Sequence, residues 1–457
     1  VSYSSESTVQ RVDRTIQALR TVAVEAYRDS VDVRTIALDR AHSIDGAHVY
    51  FDLLNARQLL NSPDESEHVH RRFLRVIHIF ARVASVVLQR TGCVKVDLQN
   101  TRLHYVVANL SLGPAERVAL AVATAALLRH VITSANALHN EVADIQVRVG
   151  VDCGPALVVT NGTRGDREPL FLGEPANQAG KLASGTTPGI FLCERARTAV
   201  RLPGRPDTAL TDAELRQIAA SARMTVSKDQ IDNAWKESLS ATPLQTFSFY
   251  RPTPPLKSLD FAQLSPGHSA RIESVAIFAD ISNFTKFIAG AMGTNGQQGA
   301  VRALHVIRKE LRDVLTDHDG RKVRYIGDCV VGVLASTDRQ KTVDQAVLCG
   351  AALQEAIKVT LERLALRNVT ANTGLGLAVG FELGTNVITR LGVRGERDRA
   401  FVGRAVLQAQ ACQDAATTGE IAIGPNALAG ASRKVAALFP GTKRSGLTYA
   451  EVLAATR

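Results

Sequence analysis

The sequence predicts an α+β protein built from two copies of one module. Three observations carry that expectation. The length of 457 residues is too great for one ordinary core. Four short motifs recur at offsets of 227 to 230 residues, pairing Asp52 with Asp280, Thr101 with Asp328, Gly154 with Gly384 and Gly173 with Gly403. In each copy a strand, a long amphipathic helical stretch, a hairpin, another helix and further strands follow one another, an α+β, ferredoxin-like order.

In chain order, residues 1–40 form an N-terminal helical segment, because Val9, Val12, Ile16, Leu19, Ala23 and Ala26 recur at three- and four-residue steps. Such a stripe serves either a short dimer seam or packing on its own domain. Residues 41–250 form the first domain, with an extra polar helical stretch near 212–238 that the second lacks. Residues 251–270 are proline-rich and without period, which marks a linker long enough for the halves to pair within one chain or in a homodimer. Residues 271–457 form the second domain.

The net charge of +10 points to an anionic ligand. Its basic residues are interspersed with acidic ones and lack aromatic interleaving, which favours a phosphate-bearing small molecule over nucleic acid. The six cysteines form no CxxC and have no histidine at zinc-ligand spacing, so reduced core thiols of a cytoplasmic protein are expected. The apolar run from Val118 is too short to cross a bilayer, and no membrane insertion is expected.

Two segments of the second half carry the chemistry. In VAIFADISNFT, alternation places Phe278 and Asp280 on one strand face, and the helix that follows offers free backbone N–H groups to phosphate oxygens. In VRYIGDCVVGVLA, a tight turn projects Asp328 from a hairpin tip. Two converging carboxylates suit Mg²⁺ or Mn²⁺, which share oxygen ligands with substrate phosphates.

These motifs, with their repeats, resemble the class III nucleotidyl cyclases. The resemblance covers both halves and implies two ferredoxin-like cyclase domains paired head to tail as a pseudo-heterodimer. It implies two metal ions at Asp280, Ile281 and Asp328, with Phe284 and Thr285 beside the substrate. Further, LFLGEPANQAGKLA resembles the family segment in which a glycine precedes Asn-x-x-x-Arg. That makes Asn177 and Lys181 the transition-state residues, with lysine keeping the charge but losing the bidentate fork. The second half has Leu407 and Ala411 there, and the first has Thr101 in place of a metal aspartate. One complete site and one dead site result.

For the base, the family positions fall on Asp97 and Leu170, which match neither the adenine nor the guanine pattern. Tyr50 shares a strand face with Asp52 and adds bulk that favours a smaller base. These departures resemble the pyrimidine cyclases of bacterial Pycsar antiphage systems, whose cyclic nucleotide is read by a separate effector protein. UTP is favoured over CTP, because Tyr50 can donate to uracil O4 while Asp97 accepts from N3–H. An adenylate cyclase is the alternative, and a catalytically inactive nucleotide-binding regulator is the alternative of another class.

Overall fold

The computed structural model describes residues 3–60, 65–138, 144–162, 168–205, 208–222, 224, 226–292, 296–371 and 374–457. The chain opens with α1 (Ser5–Ala18) and β1 (Ala23–Ala26), then runs β2 (Arg40–Leu53), α2 (Glu67–Thr91), β3 (Val94–Gln99), β4 (Arg102–Val107), α3 (Pro114–Leu138) and β5 (Val147–Asn161). There follow β6 (Glu168–Leu172), α4 (Glu174–Ala183), β7 (Gly189–Leu192), α5 (Glu194–Ala199), α6 (Asp212–Ser221) and α7 (Lys228–Ser240). The second half comprises β8 (Phe249–Tyr250), β9 (Ser269–Ser282), α8 (Phe284–Met292), α9 (Gln297–Asp317), β10 (Arg321–Ile326), β11 (Cys329–Leu334), α10 (Arg339–Leu366) and β12 (Gly376–Leu391). It ends with β13 (Asp398–Val402), α11 (Arg404–Ala415), β14 (Glu420–Ile423), α12 (Pro425–Gly430), α13 (Arg433–Ala436), β15 (Lys443–Ser445) and α14 (Tyr449–Thr456).

Two mixed sheets result, with strand orders β3-β4-β2-β5-β6 and β10-β11-β9-β12-β14-β15. The first four strands of each share one order, that of a β-α-β-β-α-β unit with its first strand inside the sheet. The hairpins repeat down to their irregularities. Asn100 and Gly327 take the same left-handed conformation at the two tips (φ 52° and 58°), and the register shifts at Lys95/Asp97 and again at Lys322/Arg324.

Alternation along the long strands sorts the core from the site. Ala47, Val49, Phe51 and Leu53 of β2 pack with α2 and α3, which leaves His48, Tyr50 and Asp52 on the opposite face. In β9, Val275, Ile277, Ala279 and Ile281 pack with α9 and α10, and Ala276 and Phe278 line the other face with Asp280. A glycine in the next strand sets the layer above: a Cβ at Gly150 would collide with the Ala179 carbonyl, and one at Gly380 with the Gln413 backbone. Only glycine lets α4 and α11 lie directly on their sheets.

Three expectations change. The N-terminal segment is not helical throughout, since Ala23 and Ala26 lie in β1, which pairs in parallel with β2. Helix α1 lies against α9 and α10 of the other half: Arg11 bonds Glu310 and Asp317, and Asp13 bonds Arg363 and Arg367. The proline-rich stretch is no loose tether, because Leu256, Phe261 and Leu264 are buried beside Phe278, Val331 and Phe401. Apolar side chains between the prolines found a surface that a composition argument does not see.

Helices α6 and α7 cover α3 and α2, with Ile218, Ile231 and Trp235 turned inward. Within α3, Pro114–Ser134 is long and apolar enough to cross a membrane, but 72% of its most apolar window is buried inside the molecule. None of the six cysteines is in a disulfide, and Cys93, Cys153, Cys329 and Cys349 are buried.

Candidate active site

Asp280 lies two residues before the end of β9, and Asp328 follows the left-handed Gly327 at the β10–β11 tip. Because Val330 pairs with Ala279, the two carboxylates emerge at the same end of neighbouring strands. Burial, then the charge of Asp414, pushes Asp280 up to about 6. Burial, then Asp280 itself, holds Asp328 well above the usual carboxylate range. Two carboxylates that resist ionising together are a donor set suited to a hard divalent cation. Among the described residues no cluster of three or more His, Cys, Asp or Glu is placed to hold a metal, so phosphate, water and main-chain oxygens would complete the shell. Ile281 offers only its carbonyl, since its side chain is 1% exposed in the core.

The matching corner of the first half is filled differently. Thr101 Oγ1 donates to Asp52 Oδ1 at 2.8 Å, while Arg102 Nη2 and Arg57 Nη2 donate to Oδ2 at 2.9 and 3.3 Å. Two guanidinium groups take the place that a metal pair would occupy. Across from them, Leu407 of α11 packs against the first half's core.

Between the halves lies a cavity of about 760 Å³, a size that suits a small ligand. Tyr50, Asp97, His104 and Leu170 of the first half line it, facing Arg308, Lys322, Arg324 and Gly327 of the second. The Tyr50 ring stacks on His104 (4.2 Å between centroids, 11° between planes), and a Cβ at Gly180 of α4 would stand 3.6 Å from its edge. Gln99 Nε2 and Arg324 Nη2 donate to Asp97 Oδ2 at 2.8 and 3.4 Å. Asp97 Oδ1 is buried and has no hydrogen-bond partner among the described residues. Burial outweighs the Arg324 charge and raises the Asp97 pKa.

Helix α4 reaches the second half through Asn177, whose Nδ2 donates to Thr285 Oγ1 of α8 at 3.4 Å. Neither Asn177 nor Lys181 lines the cavity, and Asp280, Asp328 and Thr285 also lie outside its lining. The Lys181 side chain is exposed, and it lines a separate cleft of the first half with Glu174, Gln178 and Arg195. Thr285 is exposed at the helix start, whereas Phe284 is 6% exposed and belongs to the core. Only the backbone of Phe284 can meet a ligand.

Residues 268–437 match the family of adenylate and guanylate cyclase catalytic domains. Over nearly the whole chain the protein is similar to a uridylate cyclase of Pseudomonas aeruginosa, at 36% identity over 98% of this chain and 90% of that one. The chain belongs to the class III nucleotidyl cyclases. A uridylate cyclase of a Rhizobium species is 34% identical over 91% of this cyclase and 84% of its own length. A solved structure from P. aeruginosa, described as a class III adenylyl cyclase-like ATP-binding protein, superposes with a TM-score of 0.95 at 35% identity, covering 100% of this chain and 99% of that one. Cyclases of this class generally use Mg²⁺ or Mn²⁺, which agrees with the all-oxygen donor set.

Several groups at the cyclase cavity went unread in the sequence. His104 sits two strand positions from Asp52's partner Arg102, so the alternation that singled out Tyr50 also put His104 beside it. Arg308 lies mid-helix among apolar residues of α9, where its sequence context resembles a solvated face.

Proposed function

We propose that this cyclase converts UTP to 3′,5′-cyclic UMP and pyrophosphate, at one site built by its two halves paired head to tail as a pseudo-heterodimer. The observation that carries the base is the unpartnered Asp97 Oδ1, a buried acceptor in a cavity narrowed by the Tyr50–His104 stack. Uracil presents an N3–H to that oxygen and its O4 to the Tyr50 hydroxyl. A buried site that must satisfy an orphaned acceptor discriminates more sharply than shape alone.

The ribose 3′ oxygen attacks the α-phosphate in line, and pyrophosphate leaves. Asp280 and Asp328, with the Ile281 carbonyl, would hold two Mg²⁺ or Mn²⁺ ions. Such ions, when bound, polarise the phosphoryl oxygens and make the 3′ hydroxyl more acidic. Asn177 orients the ribose, with Thr285 as its neighbour across the interface. Lys181 supplies its cation from the exposed end of the same helix, its flexible stem swinging toward the α-phosphate. Backbone N–H groups at Phe284 and Thr285 receive phosphate oxygens. The product is then read by a separate effector protein, as in the antiphage systems that the sequence resembles.

Incubating the full chain with each of the four ribonucleoside triphosphates and Mn²⁺ tests the reading. Cyclic UMP is expected as the main product. A cyclic purine product would overturn the assignment of the base, and cyclic AMP would favour ATP, the nucleotide named for the solved neighbour; no product would favour a regulator.

A further inference from the structure

Arg308 on α9 is 2% exposed and lines the cavity. Among the described residues its Nε has no hydrogen-bond partner and no carboxylate forms an ion pair with it, although the charges of Glu168 and Asp328 reach it. Its guanidinium lies 4.4 Å from the ring centroid of Tyr325, and Lys322 Nζ lies 4.4 Å from the same centroid. Lys322 is 3% exposed. Among the described residues Glu168 reaches this end: Glu168 Oε1 is 3.6 Å from both Lys322 and Arg399, while Glu168 Oε2 accepts from the Tyr325 N–H at 2.7 Å. Among the described lining residues cations outnumber carboxylates. Burial pushes the pKa of Arg308 and Lys322 down, and that of Arg399 to about 10. A buried guanidinium without a counter-ion is costly, and an anion removes that cost.

We propose that Arg308 and Lys322, grouped on the ring of Tyr325, form a phosphate-binding subsite separate from the Asp280–Asp328 pair. The guanidinium fork suits paired phosphate oxygens, and the ammonium adds a point charge. Occupancy needs no divalent ion. The phosphate comes either from the nucleotide in the cavity or from free pyrophosphate, and only the first source rests on the cyclase reading.

The test uses the full chain in EDTA, with inorganic pyrophosphate titrated by calorimetry and by thermal melting. Wild type is expected to bind one pyrophosphate per chain and to melt at a higher temperature with it. Arg308→Met is expected to fold, to bind at least about tenfold more weakly and to lose the thermal shift; Arg308→Lys should keep part of both. Displacement of pyrophosphate by UMP but not by uridine identifies the nucleotide's own phosphate as the occupant; binding of pyrophosphate unaffected by UMP identifies a free anion. If metal-free wild type fails to bind pyrophosphate, or Arg308→Met and Lys322→Met bind it as well as wild type does, the subsite does not exist. Because no turnover is measured, the result stands whichever triphosphate the four-substrate assay selects.

Discussion

At the scale of single residues, the contrast between Asp280 and Asp52 decides how each half behaves. Asp280→Asn should lower turnover by at least about a hundredfold, because it removes a metal ligand. Asp52→Ala should leave turnover within a few-fold of wild type but cost about 1–3 kcal/mol in urea unfolding, since Arg57, Arg102 and Thr101 lose their shared acceptor. Equal loss of activity in the two variants would mean that the first half also holds metal. Mn²⁺ should raise the melting temperature of wild type and not that of Asp328→Asn. The positions of Asp280 and Asp328 were legible because alternation and a turn signal fix them. Arg57 and Arg102 were not, because a cation that replaces a metal looks like any surface arginine until the fold brings it to Asp52. Lys181 shows the converse: its spacing from Asn177 gives both a place on one helix, but does not reveal that its side chain lines a cleft within the first half.

At the scale of elements, the N-terminal strap is the clearest gain over the sequence. An amphipathic stripe states that a helix is buried and not against what, so α1 could not be assigned to α9 and α10 beforehand. Glu310 is 2% exposed and takes Arg11 and Thr8 as its partners. Arg11→Ala should therefore destabilise the chain by about 3 kcal/mol in a denaturant titration, because it leaves a buried carboxylate without its cation. The histidines of β2 and β4 set a pH dependence. Burial lowers His48 from 6.5 to about 3 and holds His104 well below 6.5. The unfolded chain takes up protons on these rings below pH 6.5 while the folded one does not, so their contribution to stability is full above that pH and declines as pH falls. Melting temperature should drop between pH 7.5 and 5, and the drop should be smaller in His104→Phe.

At the scale of the whole molecule, the repeat was legible because it shows in the same places twice, down to the left-handed tips and the hairpin register shifts. The join between the halves was not, since it rests on pairs such as Lys95 with Asp398 and Arg324 with the Leu98 carbonyl that lie more than two hundred residues apart. If the site is intramolecular, Asp280→Ala and Asn177→Ala should each be inactive, and an equimolar mixture of them should stay inactive. Recovered turnover in the mixture would show that halves exchange between chains.

The arginine-filled corner also bears on how this architecture can change over time. Restoring an aspartate at Thr101 would set a second carboxylate beside Asp52, but Arg57 and Arg102 would neutralise the pair before any ion could. Gaining a metal there takes the loss of both arginines as well, and each intermediate leaves a charge stranded at Asp52. A metal at the Asp52 corner thus lies behind a stability barrier: the chain can drift in what the proposed site accepts more easily than it can gain a second one.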